Sequence, residues 1–538
     1  MLAVAEDPTQ KADFETFLAP FAQPGTMKDL SKEFDSPEDL GIYVLLTTED
    51  NAAIIRKDPR VLSIDLDVDS GFDEPSTAAP DQSEQITLDT FDGFVIQTPS
   101  QDALGDLSLP LPVNVQGFTP SNVPGYAYQQ EAGKGVTVYV LDTGANPAHD
   151  DFAKAEGNKR WLFASEDTAE DDKNGHGSCV QSLVNGPLFG VAKAADIVIV
   201  KLGARFTLDN ILFGLLLVYQ DVIKNKLQGK AVVNMSLGSQ LLVPSTNNQG
   251  KNPGFILPQA IAGYNSTIQL LIDEDVVVVA ASGNSRDEPG GSEFVTAFPA
   301  FLGRQLNMIA VGAVTAEGKR EDYSQGVPRE LDTSAVGTTV CASNLGNADV
   351  EKTGTSMSAP LVSGMIAVWL SSAQYRARLQ VPGQVAANVK QLVRELSYNR
   401  FGGGDTPVAW NGVDVFTCNS GISGSAKLRA RAGQCVINST STALPTASPP
   451  PQPPSATVPV VVSTMTPPPP AQTPLPCYNF NVDAYGYCCA TADSPCGDGV
   501  GTCWLPFTGV GVGGGGDGIN LLPTGARCPP PPGAKDDF

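Results

Sequence analysis

The chain has 538 residues, 41% of them apolar and 17% charged, with a formal net charge of −24. That length admits roughly two to four domains and a large buried core, and the composition is that of a folded chain. No apolar run approaches the roughly 20 residues that span a bilayer. An acidic chain also repels the phosphate backbone, so neither a membrane nor a nucleic acid is an expected partner.

In chain order, the first 110 residues carry 23 acidic and 6 basic side chains, a net −17, so most of the acidity belongs to one N-terminal segment. Residues 1–7 lack a basic start followed by an apolar stretch of about 7–15 residues, so no signal peptide is read there. Residues 41–46 read as a strand, 51–57 as a short helix and 61–67 as a second, alternating strand. Residues 70–110 are rich in turn formers and read as a linker.

From 135 to about 398, apolar runs alternate with helical stretches, the pattern of a parallel sheet covered by helices on both faces. Buried strands are expected at 136–141, 196–201, 231–235, 276–281 and 308–311. The clearest helices are 208–226 and 359–372. Cys418 and Cys435 are expected to close a loop behind this domain.

Residues 445–476 hold 13 prolines in 32 positions, mixed with Ser and Thr, and read as an extended spacer. Six of the ten cysteines (Cys477, Cys488, Cys489, Cys496, Cys503 and Cys528) crowd the last 62 residues. That tail has few apolar side chains, no histidine and no Cys-x-x-Cys pair. Three disulfides are therefore expected there rather than zinc, in an oxidising compartment. Secretion is the expectation, with a leader ahead of Met1 or a misassigned start.

The chemistry begins with an inventory. The chain has two histidines, His149 and His176, and histidine is the usual general base near neutral pH. His176 sits in Asp-Asp-Lys-Asn-Gly-His-Gly-Ser-Cys (171–179), where the flanking glycines are expected to leave the imidazole uncovered. His149 lies in a polar loop and reads as a histidine bonded to its surroundings. Asp142 ends the apolar run Val-Thr-Val-Tyr-Val-Leu (136–141), at the strand end where α/β sheets build sites. A carboxylate there can hold an imidazole in one tautomer.

Ser356 lies in Gly-Thr-Ser-Met-Ser-Ala-Pro (354–360), ahead of an apolar helical run with Pro360 in its first turn. A serine at a helix N-terminus meets orphan N–H groups and the positive dipole end, which favour developing negative charge. Asn284, in Ala-Ala-Ser-Gly-Asn (280–284), follows the next apolar strand. Its amide and the Ser356 N–H could together hold an oxyanion.

These four segments resemble the Asp, His, oxyanion-Asn and Ser motifs of the subtilisin-like serine proteases. The order Asp, His, Ser separates that family from trypsin-like and α/β-hydrolase arrangements. Residues 125–142 further resemble the fungal proteinase K branch, and the resemblance covers about 112–400. It implies an α/β, three-layer fold with a central, mostly parallel sheet, preceded by an α+β propeptide and followed by a small disulfide-rich module. The expected boundaries are 1–110, 111–440, 441–476 and 477–538.

By the same resemblance, Asp142, His176 and Ser356 form a catalytic triad and Asn284 is the oxyanion donor. Ser236, Leu237, Gly238, Ala281, Ser282 and Gly283 line the primary specificity pocket. Residues 234–239 pair with an extended substrate peptide. The pocket residues include no carboxylate, so an apolar or aromatic preference is expected. Residues 41–69 resemble inhibitory propeptides, with a cut expected between about 100 and 117.

Two positions depart from the family pattern: Ser-Cys-Val-Gln-Ser (178–182) after His176, and Met-Ser-Ala-Pro after Ser356. Neither removes a reacting group. No cofactor is required. Calcium is common in the family, but the acidic run 166–172 has no EF-hand spacing and reads as a solvated loop rather than a calcium site. Asn265 and Asn438 are glycosylation acceptors in a secreted chain, while Asn234 also fits the motif but belongs to a buried strand.

The expected function is a self-processed serine endopeptidase and monomer, acting on polypeptides and held by its own propeptide. The alternative is a catalytically inert secreted binding protein. In either case the Cys-rich tail would attach to a cell-wall polysaccharide or protein.

Overall fold

The computed structural model describes residues 2–5, 11–29, 41–65, 86–91, 93–109, 125–240, 260–289, 291–400 and 406–413, besides a few short strands elsewhere. Residues 1–438 form one compact unit and 439–538 another.

Seven parallel strands make the central sheet: β1 (Thr137–Asp142), β2 (Lys159–Phe163), β3 (Asp196–Lys201), β4 (Ala231–Met235), β5 (Val276–Ala281), β6 (Ile309–Val314) and β7 (Thr333–Val336). Their order across the sheet is β2-β3-β1-β4-β5-β6-β7. The order reverses at β1, so the C-terminal end of β1 is the switch point where such sheets open a crevice. Asp142 occupies that end, in register with Lys201 of β3.

Both faces of the sheet are buried, and the alternation is visible residue by residue. Val138, Val140, Ile197 and Ile199 pack with helix α1 (His176–Asn185) and helix α4 (Thr355–Ser371). Tyr139, Leu141, Val198 and Val200 pack with helix α2 (Leu208–Asn225) and helix α3 (Ala260–Asp273). Each such side chain contributes roughly 1.5–3 kcal/mol of burial, which pins the pleat and hence the register. The expected strands 196–201, 231–235 and 276–281 match these bounds. The expected helix 359–372 instead begins at Thr355, because the small residues ahead of the apolar run already pack against the sheet.

The N-terminal body is an antiparallel four-stranded sheet (Leu2–Ala5, Lys28–Asp29, Ile42–Val44, Val61–Asp65) with helices Lys11–Leu18 and Glu49–Ile55. Phe14, Leu18, Tyr43, Leu45, Ala52, Ile55 and Ile64 form its own small core. Ile42, on the other face, joins the core of α2 and α3, so this sheet rests on those helices.

The linker reading of 70–110 is corrected. Phe94–Thr98 pairs with Thr87–Phe91 on one side and Tyr126–Gln129 on the other. Helix Asp102–Leu107 then buries Ala103, Leu104 and Leu107 in the α1–α4 core, and the buried Asp106 carboxylate pairs with Arg400. Composition marks this stretch as turns, and one of its two pairing partners, Tyr126–Gln129, lies some 30 residues downstream. The loop expected between Cys418 and Cys435, Asn438 and the pairing of the tail cysteines all lie outside the described residues. In the second unit only four short antiparallel strands are described, Phe480–Val482, Cys488–Ala490, Cys503–Trp504 and Gly511–Val512.

Candidate active site

The end of β1 brings Asp142 and His176 together. His176 Nδ1 lies 2.8 Å from Asp142 Oδ1 and 3.0 Å from Oδ2, with both side chains buried. A carboxylate can only accept, so Nδ1 carries the hydrogen and Nε2 is left as the basic nitrogen. The Thr143 N–H donates to Asp142 Oδ1 at 2.8 Å. Burial pushes the Asp142 carboxyl up, and His176, foremost among several neighbours, pulls it back down.

The glycines of the histidine motif do a different task from the one expected. The imidazole is not left uncovered, since the His176 side chain is 1% exposed. Instead Gly177 permits contact between backbones: a Cβ there would stand 2.2 Å from Gly144 O and 3.1 Å from Asp142 Oδ1. Any larger residue would push α1 off the Asp142 loop.

Ser356 occupies the first turn of α4, where Gly354 is the N-cap. Because α4 starts at Thr355, Pro360 is an interior residue rather than a first-turn one. Proline has no N–H, so the Ser356 carbonyl loses its helical donor. The Ser236 hydroxyl replaces it, donating to Ser356 O at 2.7 Å. Ser236 in turn accepts from Asn234 Nδ2 at 2.9 Å, and Asn234 Oδ1 accepts from Ser363 at 2.8 Å. A chain of neutral groups thus ties β4 to the serine-bearing turn.

Asn284 is drawn into the same turn. Its Oδ1 accepts from Thr355 N and from Thr355 Oγ1, both at 2.8 Å. A backbone N–H can only donate, which fixes which amide atom is the oxygen and turns the NH₂ the other way. Gly283 N donates to Thr355 Oγ1 at 3.1 Å, closing the link.

Of the six expected pocket residues, Ser236, Leu237, Ala281 and Ser282 are buried. Ser236 is spent on Ser356, and Ser282 Oγ donates to Gln325 O at 2.8 Å. Gly238 is exposed and Gly283 half-buried. A Cβ on either would crowd the Ala297 Cβ, at 3.1 Å and 2.7 Å, so these two backbones flank one small side chain.

His149 takes the role expected of it outside the site. Its Nδ1 accepts from Asp151 N as the N-cap of a short helix, and its Nε2 faces Asp349 Oδ1 at 3.1 Å. Asn234 is fully buried. In the acidic run, Lys201 Nζ donates to Ala169 O at 2.8 Å and Asp171 Oδ1 at 2.5 Å, with Asp167 Oδ2 at 3.1 Å. Among the described residues no group of three or more His, Cys, Asp or Glu side chains could hold a metal ion.

Three contributors were missed in the sequence. Cys179 forms a disulfide with Cys341, 162 residues downstream, and its sulfur lies 3.1 Å from Met357 Sδ. That explains the unusual cysteine in the helix after His176. The others are Thr355, adjacent to Ser356, and Asp172, hidden in a run that reads as solvated loop.

The chain is similar to known proteins over this region. The profile of the subtilase family matches residues 133–404, just over half the chain. A cuticle-degrading serine protease of Arthrobotrys oligospora is 27% identical over 296 residues, covering 51% of this chain and 64% of that protein. Subtilisin-like protease 2 of Pseudogymnoascus destructans is 30% identical, covering 53% and 64%. The chain thus spans under two thirds of the length of these curated relatives. A cold-adapted subtilisin-like serine proteinase of known structure is 25% identical, with a TM-score of 0.42, covering 58% of this chain and 98% of that one.

Proposed function

Starting from the fact that the chain belongs to the subtilase family, we propose that it is a serine endopeptidase made as a self-processed precursor. Asp142, His176 and Ser356 are its catalytic triad, and Asn284 with the Ser356 N–H its oxyanion donors. The observation that carries this reading is the buried Asp142–His176 pair at the switch point of the sheet, with His176 Nδ1 2.8 Å from Asp142 Oδ1.

In this reading Ser356 Oγ attacks the substrate carbonyl carbon while its proton passes to His176 Nε2. The carbonyl π electrons move onto oxygen, where Asn284 and the backbone N–H receive them. Collapse expels the amine, which takes the proton back from Nε2, and water repeats the cycle on the acyl-enzyme. Asp142 stays ionised and stabilises the imidazolium. The backbones at Gly238 and Gly283 border the primary pocket, and the small Ala297 between them favours an apolar or aromatic residue at the scissile bond.

Self-processing is supported by the separate core of the N-terminal body. The cut belongs upstream of Thr87, because 87–109 contributes strands and a helix to the main core. A cut at 100–117 would sever structure that the folded domain uses. Secretion, monomeric state, and attachment of the Cys-rich tail to a cell-wall component complete the proposal.

The test is expression of the full chain with N-terminal sequencing of products and titration with a serine-directed sulfonyl fluoride. Cleavage upstream of residue 87 and one labelled serine are expected, both lost in Ser356→Ala. Identical behaviour of wild type and Ser356→Ala would overturn the reading. Peptide libraries showing strong Arg or Lys selection would overturn the pocket assignment.

A further inference from the structure

Asp172 is a buried carboxylate that the proposed chemistry does not use. Its Oδ1 accepts from Thr143 Oγ1 at 2.9 Å, Asn174 N at 3.0 Å and Gly175 N at 2.8 Å. Its Oδ2 accepts from Ser178 N at 2.8 Å and Ser178 Oγ at 2.7 Å. Every one of these donors is neutral. The cations of the same loop go elsewhere: Lys201 pairs with Asp171 and Asp167, and Lys173 with Asp167. Asp172 therefore has no cation among these partners and surrenders its lone pairs to the backbone that frames His176.

The Thr143 hydroxyl is the joint between the two carboxylates. It lies 3.3 Å from Asp142 Oδ1 and 2.9 Å from Asp172 Oδ1, and it accepts from Gly177 N at 3.0 Å. Its one hydrogen can serve a single carboxylate at a time. One hydroxyl thus bridges the loop after β1, the turn before His176 and the start of α1. The charge is felt as well, since Asp172 contributes to raising the Asp142 carboxyl.

We propose, resting on the endopeptidase reading, that Asp172 is a positioning residue that sets both the placement and the proton affinity of His176. Placement comes from four hydrogen bonds inside the turn 172–178 and a fifth, from Thr143 Oγ1, that ties the turn to the loop after β1. Proton affinity comes from a second, un-neutralised negative charge behind the imidazole, which favours the imidazolium formed when Ser356 gives up its proton. Two carboxylates lie behind the imidazole, Asp142 at Nδ1 and Asp172 through Thr143. His149, the other histidine, is turned to Asp349.

The test compares wild type, Asp172→Asn and Thr143→Val, normalised to active serines by sulfonyl fluoride titration. Asp172→Asn is expected to lower kcat by about 10-fold with little change in KM, and to move the acid limb of kcat/KM to lower pH. Thr143→Val is expected to lower kcat with the acid limb unmoved, because both charges remain. In Ser356→Ala full chain, the two imidazoles can be titrated by NMR without any activity. Adding Asp172→Asn should lower the His176 titration.

A variant that only melts earlier, with kcat per active serine and the acid limb unchanged, would show Asp172 to be purely structural and overturn the inference. So would an unmoved His176 titration. An active, labelled wild type with an indifferent Asp172→Asn sinks this inference alone. A wild type that neither labels nor cleaves sinks the endopeptidase reading and this inference with it.

Discussion

The two halves of the candidate site are built from different materials. The Asp142–His176 half is organised around buried carboxylates, with Asp142 and Asp172 both held by hydroxyl and backbone donors. The Ser356–Asn284 half is organised around neutral groups alone, Asn234, Ser236, Thr355 and Asn284. In the proposed mechanism one half would handle protons and need fields that favour a cation. The other would receive an oxyanion and need donors that stay fixed at any pH. The disulfide Cys179–Cys341 spans the two, from the helix that begins at His176 to the hairpin that leads into Gly354.

The largest expected effect breaks either half outright. Ser356→Ala or His176→Ala should reduce kcat by about 10⁶-fold, read against a chromogenic peptide, and leave the precursor uncut. Removing the link between halves comes next. Cys179→Ala with Cys341→Ala opens a closure of 162 residues, worth up to about 5 kcal/mol in the chain-entropy account. Thermal melting of the inactive Ser356→Ala background would measure it free of self-digestion.

Asn284→Ala tests whether the halves are separable. A fall in kcat of roughly 10²–10³ is expected, with the acid limb of the pH profile unmoved. A moved limb would mean that the neutral half also sets the base. The smallest effect is Ser236→Ala. It strands the Ser356 carbonyl that Pro360 cannot serve, at a cost of about 1–3 kcal/mol, and differs from a pocket mutation in leaving peptide selectivity unchanged. A shift in the preferred residue would return Ser236 to the pocket wall.

The legible parts of the fold were those with local signatures. Strands such as Ile197–Val200 announce themselves as unbroken apolar runs because both faces are buried. The stretch 94–98 carries a similar run, Phe-Val-Ile-Gln-Thr, but its neighbours are turn formers and one of its two partner strands is distant. By composition it reads as linker. In the acidic run, Asp171 and Asp172 are adjacent and chemically identical, yet one pairs with Lys201 and the other anchors the His176 turn. Side-chain chemistry alone gives no way to rank them.

The sequence by itself determined the architecture and named the candidate reacting groups. With two histidines the base is nearly forced, and each candidate stands beside the strand or helix terminus that presents it. Tertiary structure alone decided which groups hold the reacting ones in place. The Ser236 hydroxyl, the Thr355 link to Asn284, the Cys179 bridge and the Asp172 hub join segments separated by tens to hundreds of residues. Such contacts follow from how layers stack on the sheet, and a local pattern records only which face a residue turns, not what it will meet there.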